Sequence, residues 1–80
     1  MEKSEVLKRV KKVVSTVLAQ NESDIADDAN FIFDLGADSA QTLEMVVAFE
    51  KEFGISIDQE KALSLQSIED AVGYISTVAK

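Results

Sequence analysis

Apolar residues recur at steps of three and four from Val6 onward: Val6, Leu7, Val10, Val13, Val14, Val17 and Leu18. That spacing predicts one amphipathic helix with a single apolar stripe, because about 3.6 residues complete a turn. Lys8, Lys11 and Lys12 fall off the stripe and are expected in solvent. Ser4 has the chemistry of a helix cap, and the pattern fades at Gln20 and Asn21. From about residue 20 to 37 no period holds, which predicts a long loop. A loop of that length in a compact domain needs its own anchors or a function. Ile25, Phe31 and Leu35 are the expected plugs into the core, Asp24, Asp27 and Asp28 keep the loop wet, and Gly36 supplies a turn.

The period returns from about Ser39 to Phe53. Met45, Val46, Phe49 and Phe53 share one face and are expected to be core. Ala40, Glu44, Val47 and Lys51 fall together on the opposite face, flanked by Gln41 and Ala48. Asp38 followed by Gln41 has the form of a capping box, and Gly54 ends the helix. Ile55 and Ile57 alternate with polar residues but have no partner strand, so they read as core plugs in a loop. A short helix is expected from Asp58 to Leu63. A last helix starts at Ser67, with Asp70 as capping partner and Ile68, Ala71, Val72, Ile75 and Val78 as its stripe. The fold class is all-α: a four-helix bundle with three longer helices and one short helix, and a long loop between helices 1 and 2. Residues 1–80 form one domain with no internal repeat.

Composition narrows the function. Fifteen acidic against eight basic residues leave a net charge of −7. Such a surface repels nucleic acid and anionic membranes and complements basic patches on other proteins. Cysteine and histidine are both absent. Disulfides and thiolate metal sites are excluded, and so are the commonest general base and the commonest zinc ligand. No apolar run approaches the roughly 20 residues that span a bilayer, and Met1 to Glu5 lack a signal h-region. A cytoplasmic bacterial protein, or a mature form in an organelle matrix, is expected, as a monomer.

The chemistry concentrates at Asp34-Leu35-Gly36-Ala37-Asp38-Ser39. Ser39 opens a helix, where short oxygen-bearing side chains serve as caps. The same position presents a hydroxyl to solvent at the positive end of a helix dipole, where a phosphate ester is well placed. Ser39 is not a self-activated nucleophile, because a serine needs an adjacent base and this chain offers none suitable. It must be modified by another enzyme.

Phe31 to Ser39, Phe-x-x-Asp-Leu-Gly-Ala-Asp-Ser, resembles the prosthetic-group site of acyl carrier proteins. Thr42-Leu43-Glu44-Met45-Val46 and the run from Phe49 to Ile57 continue the resemblance over nearly the whole chain. It implies a carrier, not an enzyme, with 4′-phosphopantetheine moved from coenzyme A onto Ser39 by a phosphopantetheinyl transferase. The arm's thiol would hold growing acyl chains for delivery to fatty-acid synthesis enzymes with basic patches and to acyltransferases. The lack of cysteine fits, since the reactive sulfur comes with the cofactor.

The resemblance also implies that Asp38 helps to bind metal and transferase during loading, beside its capping role. It makes Ala40, Gln41, Glu44, Val47, Glu50 and Lys51 the partner-binding residues, Glu44 foremost. Glu52 is an alternative on the same helix. Val46, Phe49, Phe53, Ile57, Ala62, Leu65, Ala71 and Tyr74 are core residues or, in a family that can hold the acyl chain between its helices, pocket candidates. Small residues such as Ala62 and Ala71 permit such a pocket. Ala40 replaces the leucine usual after the serine, and Gln41 and Lys51 stand where carboxylates are common. These departures keep a second reading open, a specialised carrier for polyketide, lipid A or aminoacyl chemistry. Composition alone fits a third, an acidic helical adaptor that carries no cofactor.

Overall fold

The computed structural model describes residues 1–79, with four helices: α1 (Lys3–Leu18), α2 (Ser39–Phe53), α3 (Gln59–Ser64) and α4 (Ile68–Val78). One 3₁₀ turn, Glu22–Asp24, lies in the α1–α2 connection. This is the expected all-α bundle, with three longer helices and a short one. The described residues contain no strand, and the one extended pairing is an isolated antiparallel bridge between Asn30 and Ser67.

α1 packs against both α4 and α2. Its valine stripe is what makes this possible: Val6, Val10 and Val14 are fully buried, and Val13 nearly so. Met45, Val46 and Phe49 face them from α2, and Ile68, Ala71, Val72 and Ile75 from α4. The loop plugs expected from sequence, Ile25, Phe31 and Leu35, are all buried. The Phe31 and Phe49 rings meet at a centroid distance of 6.5 Å, tilted by 40°, a favourable arrangement for two ring quadrupoles.

Helix ends match expectation at Asp58 and Ser67 and differ at Ser4 and Val78. α1 begins at Lys3, so Ser4 lies inside the first turn and does not cap it. Glu2 holds the cap position without a side-chain bond, and the Val6 N–H already donates to the Glu2 carbonyl at 3.0 Å. At the other end Ala19 adopts a left-handed conformation, φ 53°, that lets its N–H reach the Ser15 carbonyl. α3 starts after Asp58, whose Oδ1 accepts the Lys61 N–H at 2.8 Å. Ser67 caps α4 by accepting the Asp70 N–H at 3.1 Å. Asp70 returns the favour one residue early, accepting from the Gln66 N–H at 3.3 Å. Val78, expected on the α4 stripe, is exposed, because α4 ends there and Ala79 takes the buried position.

The long connection is anchored at several points. The Phe31 N–H donates to the Gln66 carbonyl and the Ile68 N–H to the Ala29 carbonyl, both at 2.9 Å. These bonds tie the loop to the α3–α4 junction. Gln20 Nε2 donates to the Leu35 carbonyl at 2.7 Å. Lys11, expected in open solvent, is half-buried instead and pairs with Asp27 at 2.8 Å. A loop so tied delivers its last residues to the start of α2 in one defined position.

Candidate functional site

The site is assembled from the loop turn at 30–36, the first turn of α2, and α3. Asn30 organises the turn. Its Oδ1 accepts the N–H groups of both Ile32 and Phe33 at 3.0 Å. Asp34 Oδ2 accepts the Asn30 N–H at 2.7 Å. Asp34, the first residue of the distinctive motif, therefore holds the turn together. Gly36 closes it at φ 74° with open space where a Cβ would stand, so backbone conformation and not crowding calls for glycine there.

α2 starts with a complete capping box. Asp38 Oδ1 accepts the Gln41 N–H at 2.8 Å, and Gln41 Oε1 accepts the Asp38 N–H at 3.1 Å. The Thr42 hydroxyl adds a bond to the Asp38 carbonyl at 3.0 Å. The cap is thus Asp38, and Ser39 is the first helical residue. Its side chain is exposed, and no hydrogen bond occupies its hydroxyl among the described residues. The helical ladder begins only with the Thr42 N–H on the Asp38 carbonyl. The N–H groups of Ser39 and Ala40 precede it, at the positive end of the helix.

Ser39 opens onto a cavity of about 240 Å³. Phe31, Ile32, Leu43, Ala62, Leu63 and Leu65 supply its apolar wall, and Thr42, Gln59 and Gln66 the remaining polar groups. No charged side chain lines it, so it provides no base for the serine. A larger cleft of about 550 Å³ lies between α1, Asp27, Asp28 and α4, away from Ser39. Among the described residues no group of His, Cys, Asp or Glu is arranged to hold a metal ion.

The sequence-derived pocket candidates divide. Ala62 and Leu65 line the cavity at Ser39. Val46, Phe49 and Ala71 belong to the closed core behind it, and Ile57 is buried in the α2–α3 turn. Phe53 is half-buried with the Arg9 guanidinium 5.8 Å from its ring centroid. Tyr74 is half-buried under the Lys61 ammonium at 4.9 Å. Sequence reasoning missed Ile32, Leu43 and Leu63 as wall residues. Leu43 carried a usable signal: an apolar side chain one turn beyond Ser39, off the core stripe.

On the outer face of α2, Ala40, Glu44, Val47 and Lys51 are exposed, and Gln41 is half-buried by its capping role. Glu50 is turned inward by its bonding: half-buried, its Oε2 accepts the Ile57 N–H at 2.8 Å. Glu52 pairs with Arg9 at 3.3 Å. Lys51 shares a groove with Lys12 of α1 and with Glu52, so both signs of charge meet at that end of α2.

A helical bundle that holds an exposed hydroxyl at a helix start, beside an apolar cavity lined by no charged side chain, is suited to presenting that hydroxyl to another protein. The chain belongs to the phosphopantetheine attachment site family, whose model matches residues 8–75. Domains of this family carry covalently attached 4′-phosphopantetheine. They work with a phosphopantetheinyl transferase and with acyl-handling enzymes, and they are generally non-catalytic themselves. The residues present suit the group: an accessible hydroxyl, uncommitted helix-start N–H groups for its phosphate, and an apolar recess alongside. Among the described residues no helix is long and apolar enough to cross a membrane.

Proposed function

We propose that this chain is an acyl carrier protein of fatty-acid synthesis, loaded at Ser39, and a carrier rather than an enzyme. The observation that carries the reading is the exposed Ser39 hydroxyl at the first position of α2, opening onto the 240 Å³ apolar cavity. In loading, the Ser39 oxygen forms a bond to the phosphorus that bears pantetheine in coenzyme A. The pyrophosphate bond breaks, adenosine 3′,5′-bisphosphate leaves, and a base on the transferase takes the hydroxyl proton. When bound, the group supplies a thiol that holds acyl chains as thioesters. Asp38 keeps Ser39 at the helix start through its cap, and the wall residues Ile32, Leu43, Ala62, Leu63 and Leu65 offer apolar cover to an attached chain. Ala40, Gln41, Glu44, Val47 and Lys51 form the face presented to enzymes with basic patches. Glu50 contributes there less than its charge implies, because its carboxylate is committed to Ile57.

A specialised carrier is the second reading, favoured by Ala40, Gln41 and Lys51 on the α2 face. Loading does not separate the two carriers, but it separates both from a cofactor-free adaptor. Intact mass after incubation with coenzyme A and a transferase should rise by one phosphopantetheine unit in wild type and not in Ser39→Ala. A Ser39→Ala protein modified as fully as wild type overturns the site. Acyl transfer from the loaded protein to fatty-acid enzymes then decides between the two pathways.

A further inference from the structure

Phe33 is the most exposed large apolar side chain described, at 87%. Isolated exposed apolar residues are common on protein surfaces. This one is not isolated. Ile32, Leu43 and Leu63 are also exposed, at 49%, 53% and 71%, and all three line the cavity at Ser39. Phe33 follows Ile32 directly, on the same turn organised by Asn30.

Phe33 is also held in place. Its own N–H is bonded to Asn30 Oδ1, and Asp34 locks Asn30. The turn is tied to the rest of the fold by Phe31 and Gln66. An aromatic side chain on a fixed backbone loses little freedom when a partner covers it, which is the property of an interface anchor. The turn itself is acidic: Asp34 follows Phe33 directly and Asp38 caps α2 beside Ser39, with neither lysine nor arginine from residue 30 to 40.

We infer that Phe33 is the anchor by which the phosphopantetheinyl transferase docks, seated in an apolar socket rimmed by cationic side chains on that enzyme. The inference rests on the reading of Ser39 as the attachment site. The choice of partner follows from where each enzyme's chemistry takes place. The transferase reacts at the Ser39 oxygen itself, so it must close over the surface that adjoins Ser39. Acyl-handling enzymes react at the far end of the arm and can stand off by its length. The transferase is therefore obliged to cover the surface beside Ser39, which includes Ile32 and adjoins the turn that carries Phe33.

The test compares wild type, Phe33→Ser and Phe33→Tyr as apo proteins with a phosphopantetheinyl transferase and coenzyme A. Phe33→Ser should raise the KM for the carrier about tenfold with kcat nearly unchanged, and Phe33→Tyr should restore most of the loss. In a Ser39→Ala background, where no loading interferes, calorimetric binding to the transferase should weaken about tenfold on adding Phe33→Ser. The circular dichroism spectrum and Tm should stay those of wild type, since Phe33 is outside the core. If Phe33→Ser loads and binds like wild type, the inference is overturned while the Ser39 reading stands. A defect seen with acyl-handling enzymes but not with the transferase overturns the choice of partner. Failure of wild type itself to load overturns both readings.

Discussion

Asp38 and Gln41 satisfy one another across the first turn of α2: each backbone N–H donates to the other's side chain, at 3.1 and 2.8 Å. Ser39 sits between them and takes no part in the cap. Capping and the proposed attachment are therefore separable by mutation. Asp38→Ala should cost about 1 kcal/mol of stability, the usual loss for a cap. Ser39→Ala should leave stability nearly unchanged, because alanine is a good helix former, yet abolish loading. Urea denaturation and intact mass on the two variants check this. Equal destabilisation by both would show that Ser39 caps after all.

Glu50 gives a second separable case. Its carboxylate accepts the Ile57 N–H and so fixes the turn into α3. Glu50→Ala leaves that donor without its protein partner and should lower stability by about 1–2 kcal/mol. Glu50→Gln keeps an acceptor and should lose less than half as much. Loading rates should be similar in all three proteins. An alanine variant as stable as wild type would return Glu50 to the partner face.

Ala19 ends α1 at φ 53°, a conformation that costs a residue with a Cβ about 1–2 kcal/mol. Glycine avoids that strain but loses more backbone entropy, about 0.5–1 kcal/mol. Ala19→Gly should therefore stabilise the protein by roughly 0.5–1 kcal/mol, read as a higher urea midpoint at unchanged slope. A lower midpoint would mean that the strain at Ala19 is smaller than its conformation implies.

The net charge of −7 places like charges close together on a small domain. Self-repulsion opposes the compact state, and its long-range part is screened over a Debye length of about 10 Å at 0.1 M salt. Moderate salt or millimolar Mg²⁺ should raise Tm. A Tm that stays flat through both titrations would show that the repulsion is already balanced by pairs such as Lys11 with Asp27.

Ala40 and Lys51 stand at opposite ends of the exposed α2 face, about 16 Å apart at 1.5 Å per residue. Ala40→Leu adds apolar contact at the proposed partner face, where full burial of a leucine-sized side chain is worth about 1.5–3 kcal/mol. Lys51→Glu removes a charge of the wrong sign for a basic patch. With the loaded protein and a fatty-acid ketosynthase, both changes should improve turnover. The gain from Ala40→Leu should appear in dissociation and persist at high salt. The gain from Lys51→Glu should appear in association and shrink. No gain from either would mean that this face does not limit the exchange.

The helices, the caps of all but α1 and most of the core were legible in the sequence, because each is a local property. The valine stripe of α1, the box formed by Asp38 and Gln41, the caps at Asp58 and Ser67, and the plugs Ile25, Phe31 and Leu35 all depend on spacing within one segment. Ser39 was legible for the same reason, as a hydroxyl at a helix start within a distinctive short motif. The cavity beside it was not. Its wall draws Ile32 from the loop, Leu43 from α2, and Ala62 and Leu63 from α3. Which of these side chains meet depends on the bonds of Phe31 to Gln66 and of Ala29 to Ile68, between segments far apart in the chain. The same holds for Glu50, whose charge reads as surface in sequence and whose partner is the backbone of Ile57. Periodicity tells which side of a helix is apolar. Only tertiary packing decides whether an apolar residue closes a core, as Phe49 does, or lines an opening beside the serine, as Leu43 does.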